Sequence, residues 1–378
     1  AERQECYPLD LFLCNGCGYV GLRYVVDPRV IWDDSTEVTS MSTGLVEHLR
    51  AYSDDLIHSF KDPKGNAPEG SFIVDIGSND GTFLKFFQSN GLQVLGVDPA
   101  HYIAEQANQS GVPTLCDYFT TCLARSIRAK HGAADIITAN RVIANIDNLT
   151  DVLEGIKELM APDGTFVFET GYLVDIIRDS LFDTIYHEHL GYDLVRALEG
   201  LFPRFDMELI DIERVSVKGG SLRGRVQHKG GPRSVSSSIA DFVAKEADLG
   251  FTTDEPFRSL TSRLEVAKTQ LFDLLHGLKA NGQTIAGYGA SVGSTTQIYH
   301  LELGDLLSFL VDDDPRNQNL FGPGYHIPVK PSQAIYDEKA DYVVILAWRY
   351  SEPIIKKHQA FLDRGGHFII PMPEVQVV

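Results

Sequence analysis

Four consecutive residues, Tyr186-His187-Glu188-His189, place a phenol, two imidazoles and a carboxylate in one short segment. Histidine suits proton abstraction near neutral pH, and a neighbouring carboxylate can orient its ring. A tyrosine hydroxyl can donate to an oxygen that becomes negatively charged. The segment therefore indicates acid–base chemistry. Two alternatives remain open: a metal site, although the spacing is not that of a HExxH helix, and a hydrogen-bonded loop without chemistry.

A second cluster is the segment Asp75-Ile76-Gly77-Ser78-Asn79-Asp80-Gly81, which joins a strand-like run to a helix-like run. Glycines at such a turn let a ligand approach the backbone. The spacing is GxxxG rather than the GxGxxG of dinucleotide folds, and Asp75 and Asp80 would repel a pyrophosphate. The positive charges of S-adenosylmethionine suit this loop better. The alternative is that the aspartates only cap a helix or a turn.

Further polar residues follow the neighbouring strand-like runs. Asp98 can accept hydrogen bonds from the ribose hydroxyls of an adenosine, and Asp117 is placed to meet an adenine edge. Asn140, directly after the run 134–139, joins the same set. The predicted cofactor-binding residues are Asp75, Gly77, Ser78, Asn79, Asp80, Gly81, Asp98, Asp117 and Asn140.

These clusters need a parallel sheet to position them. From residue 71 onwards, short apolar runs alternate with helical periodicity, which is typical of parallel strands joined by crossover helices. The predicted strands of this first α/β unit are 71–76, 93–97, 134–139 and 164–169, with helices at 43–60, 81–90, 102–110 and 149–160. An antiparallel pair, 207–217 and 221–228, is predicted to close it.

A second α/β unit is predicted near the C-terminus. Its helix is 255–280, and its strands begin at Thr284 and cover 307–311, 342–347 and 367–370. A second glycine loop, at 287–295, could present backbone N–H groups and hydroxyls to phosphates. Because Asp312 ends the next strand, an NAD domain stays an alternative, although the GxGxxxG spacing is not typical of one.

Composition limits the function further. The 378 residues are enough for two or three domains, and the net charge of −19 argues against nucleic-acid or anionic-membrane partners. No apolar run is long enough to span a bilayer or act as a signal, so we expect a cytoplasmic protein. Five cysteines are too few and odd in number for a disulfide framework. Cys14 and Cys17, in a CxxC pair, remain as candidate metal ligands.

Several motifs occur in an order that matches a known family. They are the loop 75–81, Phe168-Glu169-Thr170-Gly171-Tyr172, Thr184-Ile185-Tyr186-His187-Glu188-His189, Gly219-Gly220-Ser221-Leu222-Arg223, Gly287-Tyr288-Gly289-Ala290 and the run from Ala347 to Pro371. Over nearly its whole length the chain resembles the nucleotide-sugar C-methyltransferases that build branched deoxysugars of the mycarose, tetronitrose and noviose kind.

The resemblance implies an α/β architecture in three parts. These are a small irregular zinc-ribbon-like N-terminal remnant (1–44), a class I methyltransferase Rossmann-like domain (45–232) and a second Rossmann-like domain that binds the nucleotide sugar (233–378). It implies S-adenosylmethionine as cofactor, with S-adenosylhomocysteine as product. The substrate would be a nucleotide-linked small molecule, and we expect a monomer or small homo-oligomer.

The resemblance also implies a reaction, in which a base removes the proton next to a 4-keto group and the enolate is methylated on carbon. Carried onto this chain, His189 is the base, Glu188 its partner and Tyr186 a hydrogen-bonding group near the sugar. The chemistry agrees, because a weak carbon acid needs a placed base and a stabilised enolate oxygen. The predicted substrate-binding residues are Asn145, His187, Lys218, Arg223, Gly289, Ala290, Ser291 and Arg349.

The chain departs from the family pattern on the substrate side. Asn145 and Lys218 stand where the family has histidines, and a family tyrosine has no counterpart in 36–43. Cys14 and Cys17 are half of a four-thiolate zinc set, and two thiolates do not close a structural zinc site, so zinc is only a conditional prediction. The alternatives are O-methylation, a non-sugar ketone as acceptor, an NAD-linked oxidoreductase or a non-catalytic family member.

Overall fold

The structure, a computed structural model, describes residues 4–33, 38–59 and 70–378, without the side chain of Thr43. It divides into two compact units. The N-terminal unit consists of Leu9–Asp175 and His187–Thr253, and the C-terminal unit consists of the residues up to Pro8, Ile176–Tyr186 and Asp254–Val378. Residues 9–33 thus belong to the N-terminal unit. The predicted division into three domains, with boundaries after residues 44 and 232, stays a prediction.

A mixed sheet forms the centre of the N-terminal unit. Its strands are β3 (Phe72–Ile76), β4 (Gln93–Val97), β5 (Thr114–Leu115), β6 (Ala134–Asn140), β7 (Met160–Gly171), β9 (Met207–Val215) and β10 (Ser221–His228). Within the described residues the order is β5-β4-β3-β6-β7-β10-β9, with β10 antiparallel to both of its neighbours. This is the predicted class I methyltransferase fold, and the four predicted parallel strands and the closing antiparallel pair are confirmed.

Nine α-helices of the described residues precede, connect or follow these strands. They are α1 (Pro28–Trp32), α2 (Thr43–Ser59), α3 (Thr82–Ser89), α4 (His101–Gln109), α5 (Thr121–His131), α6 (Leu149–Leu159), α7 (Leu173–Arg178), α8 (Val195–Leu201) and α9 (Ser238–Asp248). The predicted helix 43–60 is confirmed as far as Ser59, and residue 60 lies outside the described residues. Its buried stripe of Leu49, Tyr52 and Leu56 packs into one core cluster with Ile73, Phe83 and Phe87.

The first residues of the N-terminal unit form a small antiparallel sheet. Its strands are β1 (Leu11–Leu13), β2 (Val20–Leu22) and β8 (Gly191–Tyr192), in the order β1-β2-β8. Val20 is the register partner of Tyr192, so this sheet attaches the N-terminal segment to the chain just after His189. The CxxC pair lies in the turn between β1 and β2.

A separate sheet forms the centre of the C-terminal unit. Its strands are β11 (Ile285–Tyr288), β12 (Phe309–Asp312), β13 (Val329–Pro331), β14 (Tyr342–Ile345), β15 (His367–Ile370) and β16 (Gln376–Val377), and its helices are α10 (Glu255–Ala280), α11 (Val292–His300), α12 (Ala334–Asp337), α13 (Ser351–Lys357) and α14 (Gln359–Leu362). Within the described residues the order is β13-β12-β11-β14-β15-β16. All pairs except β15–β16 are parallel, which gives the strand order of a doubly wound sheet.

The long helix α10 shows why the sequence folds as it does here. Pro256 stands in its first turn, where a missing backbone N–H costs nothing. Its buried residues recur every three or four positions along one face: Leu260, Leu264, Ala267, Leu271 and Leu275. Among the described residues, no helix is long and apolar enough to cross a membrane.

Replacing Leu271 by Ala tests the packing of α10. Leu271 is 0% exposed, so the change leaves a cavity, and we expect it to lower the free energy of unfolding by about 2–5 kcal/mol. Val266, on the same helix, is 58% exposed. Val266→Ala is the matched control and should change the free energy of unfolding by less than about 0.5 kcal/mol in chemical denaturation. Equal effects of the two changes would contradict this packing.

Candidate active site

The loop after β3 depends on its two glycines for its shape. Gly77 and Gly81 have φ values of 69° and 74°, in the left-handed region that favours glycine. A Cβ atom on Gly77 would lie 2.4 Å from the side chain of Val142. The Gly77 N–H donates to the carbonyl of Val97 over 2.8 Å. The loop is thereby held at the carboxyl end of β4, the edge where ligands of parallel sheets bind.

Asp75, the carboxylate next to this loop, is 3% exposed and accepts a hydrogen bond from the Thr138 hydroxyl over 2.6 Å. Burial raises the pKa of Asp75 to about 7, the Thr138 hydrogen bond opposes that rise, and the charge of Asp98 adds to it. A cation placed beside such a group favours its ionised form. Asp75 therefore suits a positively charged ligand.

The other two aspartates of this edge are held by backbone N–H groups. Asp98 accepts from Asn79 N over 2.9 Å and from Ala100 N over 3.0 Å. Burial raises the pKa of Asp98 despite these bonds. Asp80 accepts from Ser40 N and Thr82 N, each over 3.1 Å. Burial would raise the pKa of Asp80, but these hydrogen bonds outweigh it and lower the pKa.

Asn140, the last residue of β6, is the clearest sign of a ligand site on this edge. Both polar atoms of its amide are buried, and neither has a hydrogen-bond partner among the described residues. The hydroxyl of Ser78 is in the same state. An unpaired buried polar group costs about 1–3 kcal/mol, so these atoms fit a ligand that supplies the missing donors and acceptors.

The edge as a whole fits S-adenosylmethionine. Asp75 suits a sulfonium or an ammonium, and Asn140 offers an amide without a partner among the described residues. The role of Asp98 toward the ribose hydroxyls stays a prediction. Asp117, predicted to meet the adenine, is exposed two residues beyond β5, and its Oδ1 accepts the Tyr118 backbone N–H over 2.8 Å. Its role stays a prediction.

Of the predicted catalytic residues, Glu188 and His189 are half-buried at the turn before β8, and Tyr186 is the last residue of the segment that belongs to the C-terminal unit. The end of this turn is fixed to the carboxyl side of β6, because Leu190 N donates to the carbonyl of Ala144 over 2.7 Å. His189 therefore directly precedes Leu190, the residue that is hydrogen-bonded to the segment after Asn140. His187 lies in the same turn and is also half-buried.

Asn145, predicted to bind substrate, belongs to that same segment. Its Nδ2 donates to the carbonyl of Arg141 over 3.1 Å, and its Oδ1 is buried without a partner among the described residues. A buried acceptor of this kind can receive a hydroxyl or an N–H from a ligand. The structure thus brings Asn140, Asn145 and the attachment point of the His189 turn to one side of the sheet.

Metal ligation has no support in this structure. Within residues 4–33, 38–59 and 70–378, no three His, Cys, Asp or Glu side chains form a group that could hold a metal ion. This applies to His187, Glu188 and His189 as well as to Cys14 and Cys17. Hydrogen bonds involving Cys17 lower the pKa of the Cys14 thiol. The conditional zinc prediction therefore rests on the resemblance alone.

Arg223, predicted to bind substrate, lies in a buried ion network. It stands opposite Glu169 on β7 and Glu213 on β9 in the strand register. Its Nη2 is 2.7 Å from Glu169 Oε1, its Nη1 donates to Glu213 Oε1 over 3.1 Å, and its guanidinium lies 3.7 Å from the ring centre of Tyr52. A guanidinium that is 7% exposed and neutralises Glu169 has little surface left for a phosphate. Its role in substrate binding stays a prediction.

His48 is a site residue that the sequence analysis missed. Its Nε2 lies 2.9 Å from both carboxylate oxygens of Glu169. A usable signal was present in the pattern of α2, because His48 is the residue before buried Leu49 and stands four positions before buried Tyr52. A polar residue on the packed face of a helix requires a buried partner.

The predicted substrate residues of the C-terminal unit lie around the second glycine loop. Gly289 has a φ of 108°, and Ala290 N donates to Asp312 Oδ2 over 2.7 Å. The Ser291 hydroxyl caps α11. A pocket of about 80 Å³ lies against this loop. Its lining includes Ala290, Ser291, Ser294, Thr295, Phe321 and Tyr325.

Two predicted cationic residues differ in their surroundings. Arg349, in the C-terminal unit, lies 3.4 Å from the Asp183 carboxylate and is only partly exposed. Burial raises the pKa of Asp183, and Arg349 opposes that rise. Lys218, in the N-terminal unit, is exposed in the turn between β9 and β10, with a φ of 51°. Their roles toward a substrate stay predictions.

The titration of Asp75 predicts how cofactor binding depends on pH. If S-adenosylmethionine keeps Asp75 ionised, binding must release the proton that a group of pKa about 7 carries at lower pH. The affinity should therefore rise about tenfold from pH 6 to pH 8. Isothermal titration calorimetry in buffers of different ionisation enthalpy measures the proton count. Asp75→Asn should abolish the dependence, and an unchanged dependence in that variant would contradict the assignment.

Comparisons with known proteins identify relatives of the whole chain. Residues 45–212 match the family described as Methyltransferase domain, and residues 216–373 match the family described as C-methyltransferase C-terminal domain. The C-methyltransferase NovU of Streptomyces niveus is 32% identical over 379 residues, which cover 100% of this chain and 89% of that protein.

Solved structures of other methyltransferases resemble about half of the chain. The plantazolicin methyltransferase BpumL in complex with SAH is 15% identical, with a TM-score of 0.36 over 50% of this chain and 84% of its own. Magnesium protoporphyrin IX methyltransferase (ChlM) from Synechocystis PCC 6803 with bound SAM is 14% identical, with a TM-score of 0.36 over 53% and 89%. On the full-length relationship to NovU and the two family matches, the chain belongs to the C-methyltransferase family and is an S-adenosylmethionine-dependent methyltransferase.

Proposed function

We propose that the protein methylates a ring carbon next to the ketone of a nucleotide-linked 4-keto-deoxysugar. The observation that carries this proposal is the position of the His189 turn. Its end is bonded to Ala144, in the segment that begins at the unpaired amide of Asn140. A base held beside the cofactor edge is what methylation of a carbon acid requires, whereas a hydroxyl acceptor needs less help.

In this proposal His189 takes the proton from the carbon next to the ketone. Glu188, the preceding residue in the turn, orients the imidazole and stabilises its protonated form. The Tyr186 hydroxyl donates to the ketone oxygen as negative charge develops there. Bound S-adenosylmethionine supplies the methyl group.

We assign the nucleotide part of the substrate to the C-terminal unit. The pocket beside its glycine loop offers the hydroxyls of Ser291, Ser294 and Thr295 as hydrogen-bonding groups. Phe321 and Tyr325 line the same pocket and can stack on a base or pack against a sugar. Carboxylates contribute little to this lining, in contrast to the loop of the N-terminal unit, so it suits a neutral or negatively charged ligand better than a cation.

A second candidate, methylation of a different acceptor, is favoured by one residue. Asn145 stands where the family has a histidine, and an amide can hydrogen-bond but cannot transfer a proton at neutral pH. An oxygen acceptor or a non-sugar ketone would then be the substrate. An NAD-linked reaction is a third reading, because Asp312 ends β12 beside the second glycine loop, and titration with NAD tests it directly.

Replacing His189 by Asn tests the proposed base. We expect turnover to fall about 10²–10⁴-fold, because general-base catalysis contributes that much, while the dissociation constant of S-adenosylhomocysteine stays within about threefold. His276→Asn, on the exposed side of α10, is the matched control. Turnover is measured with a panel of nucleotide-linked 4-keto-deoxysugars. A His189→Asn variant with turnover within tenfold of the wild type would refute the assignment.

Proton exchange distinguishes carbon from oxygen methylation. In deuterated water, with S-adenosylhomocysteine in place of the methyl donor, the wild-type protein should exchange the proton next to the ketone. The exchange should be absent in His189→Asn. If the wild type methylates a sugar without any such exchange under any condition, the enolate mechanism is wrong and the second candidate is favoured.

A further inference from the structure

Residues 38–48, here called the strap, lie immediately before and within the first turns of α2. The start of the strap is bonded to the glycine loop of the cofactor site. Thr39 N donates to Asn79 Oδ1 over 2.8 Å, and Ser40 N donates to Asp80 Oδ2 over 3.1 Å. Because Asn79 and Asp80 belong to the loop after β3, this end of the strap sits on the cofactor site itself.

The other end of the strap is fixed by His48. Its Nε2 is 2.9 Å from both oxygens of Glu169, at the carboxyl end of β7. A carboxylate paired with Arg223 only accepts hydrogen bonds, so the Nε2 of His48 carries the hydrogen and donates it. The strap is therefore anchored on two strands of the same sheet edge.

The strand order places the unpaired Asn140 between these anchors. β6 lies between β3 and β7, and Asn140 is its last residue and the register partner of Glu169. Two strand spacings are about 10 Å, and the helical rise from Thr43 to His48 is about 7.5 Å, so a segment of this length can span β6. The strap thus crosses the sheet edge at β6, where a ligand would supply the hydrogen-bond partners that the Asn140 amide lacks.

The two partners of Glu169 differ in a way that suits a reversible contact. The side chain of Arg223 is 8% exposed, whereas that of His48 is 20% exposed. When His48 separates from Glu169, Arg223 still neutralises the buried carboxylate, so no uncompensated charge results. The His48 contact can therefore open and close while the rest of the network stays in place.

We propose that His48 is a positioning residue that latches the strap over the cofactor site and limits the release of S-adenosylhomocysteine. This rests on cofactor binding at the first glycine loop and is independent of the identity of the methyl acceptor. Cofactor exchange requires the latch to open, and turnover requires it to close. His48 acts through Glu169 and the strap backbone, without touching the reacting atoms.

His48→Leu removes the donor to Glu169, and His48→Gln retains a side-chain N–H that can reach it. We expect the dissociation rate of S-adenosylhomocysteine, followed by stopped-flow fluorescence in the full chain, to rise about tenfold in His48→Leu, the loss expected for one charge-assisted hydrogen bond. His48→Gln should restore it to within about threefold of the wild type. A dissociation rate within twofold of the wild type in His48→Leu would overturn the proposal.

Asp55→Asn is the matched control, because Asp55 also joins α2 to the sheet, through an ion pair with Arg225 on β10, but farther along the helix from the glycine loop. It should lower the melting temperature slightly, as expected for a surface ion pair, while leaving the dissociation rate unchanged. If Asp55→Asn accelerates dissociation as much as His48→Leu, general stability of α2 governs release and the latch is disproved. Hydrogen exchange at the amides of residues 44–48 gives the second readout, which should quicken only in His48→Leu.

Discussion

The ion pair between Glu169 and Arg223 is the contact on which the carboxyl edge of the seven-stranded sheet depends. Glu169 is buried at the end of β7, where an unpaired carboxylate would be strongly destabilising, and the register puts Arg223 directly opposite it. Arg223 in turn fixes β10 between β7 and β9 and lies over the Tyr52 ring of α2. One guanidinium therefore joins the sheet, its closing hairpin and the helix that leads into the cofactor site.

The two units use the same local design, strand, glycine loop and helix, with different electrostatics. In the N-terminal unit, Asp75, Asp80 and Asp98 surround the loop, and burial, with a smaller contribution from the charge of Asp98, raises the pKa of Asp75. In the C-terminal unit, Asp312 is held by the loop's own Ala290 N–H. Hydroxyls and aromatic rings then line the adjacent pocket. Charge rather than backbone shape thus separates a cofactor site from a candidate nucleotide site.

Features set by short-range pattern could be predicted from the sequence, and features set by register could not. The runs that became β3, β4, β6 and β7 are apolar and β-branched, so their strand character and the positions of Asp75, Asp98 and Asn140 at strand ends follow directly. Helix α5 escaped prediction because only Ala124 and Ile127 of its residues are buried, which leaves a weak apolar stripe.

The gaps in the prediction of the site have the same origin. The ion network of Arg223 could not be foreseen, because a cation in a strand looks solvent-exposed until its opposite residues, Glu169 and Glu213, are known. The pairing of β2 with β8 joins residues far apart in the chain, and no local signal specifies it. His48 became interpretable only when its partner Glu169 was located.

In the proposed reaction, the new methyl group is bonded to a carbon that has lost its proton. Incubation of the protein with S-adenosylmethionine carrying a ¹³C-labelled methyl group and a nucleotide-linked 4-keto-deoxysugar, followed by ¹³C NMR of the product, tests it most directly. We predict a labelled methyl resonance in the range of methyl groups bonded to carbon, coupled to a ring carbon that has lost its hydrogen. A resonance in the range of methyl ethers would contradict it.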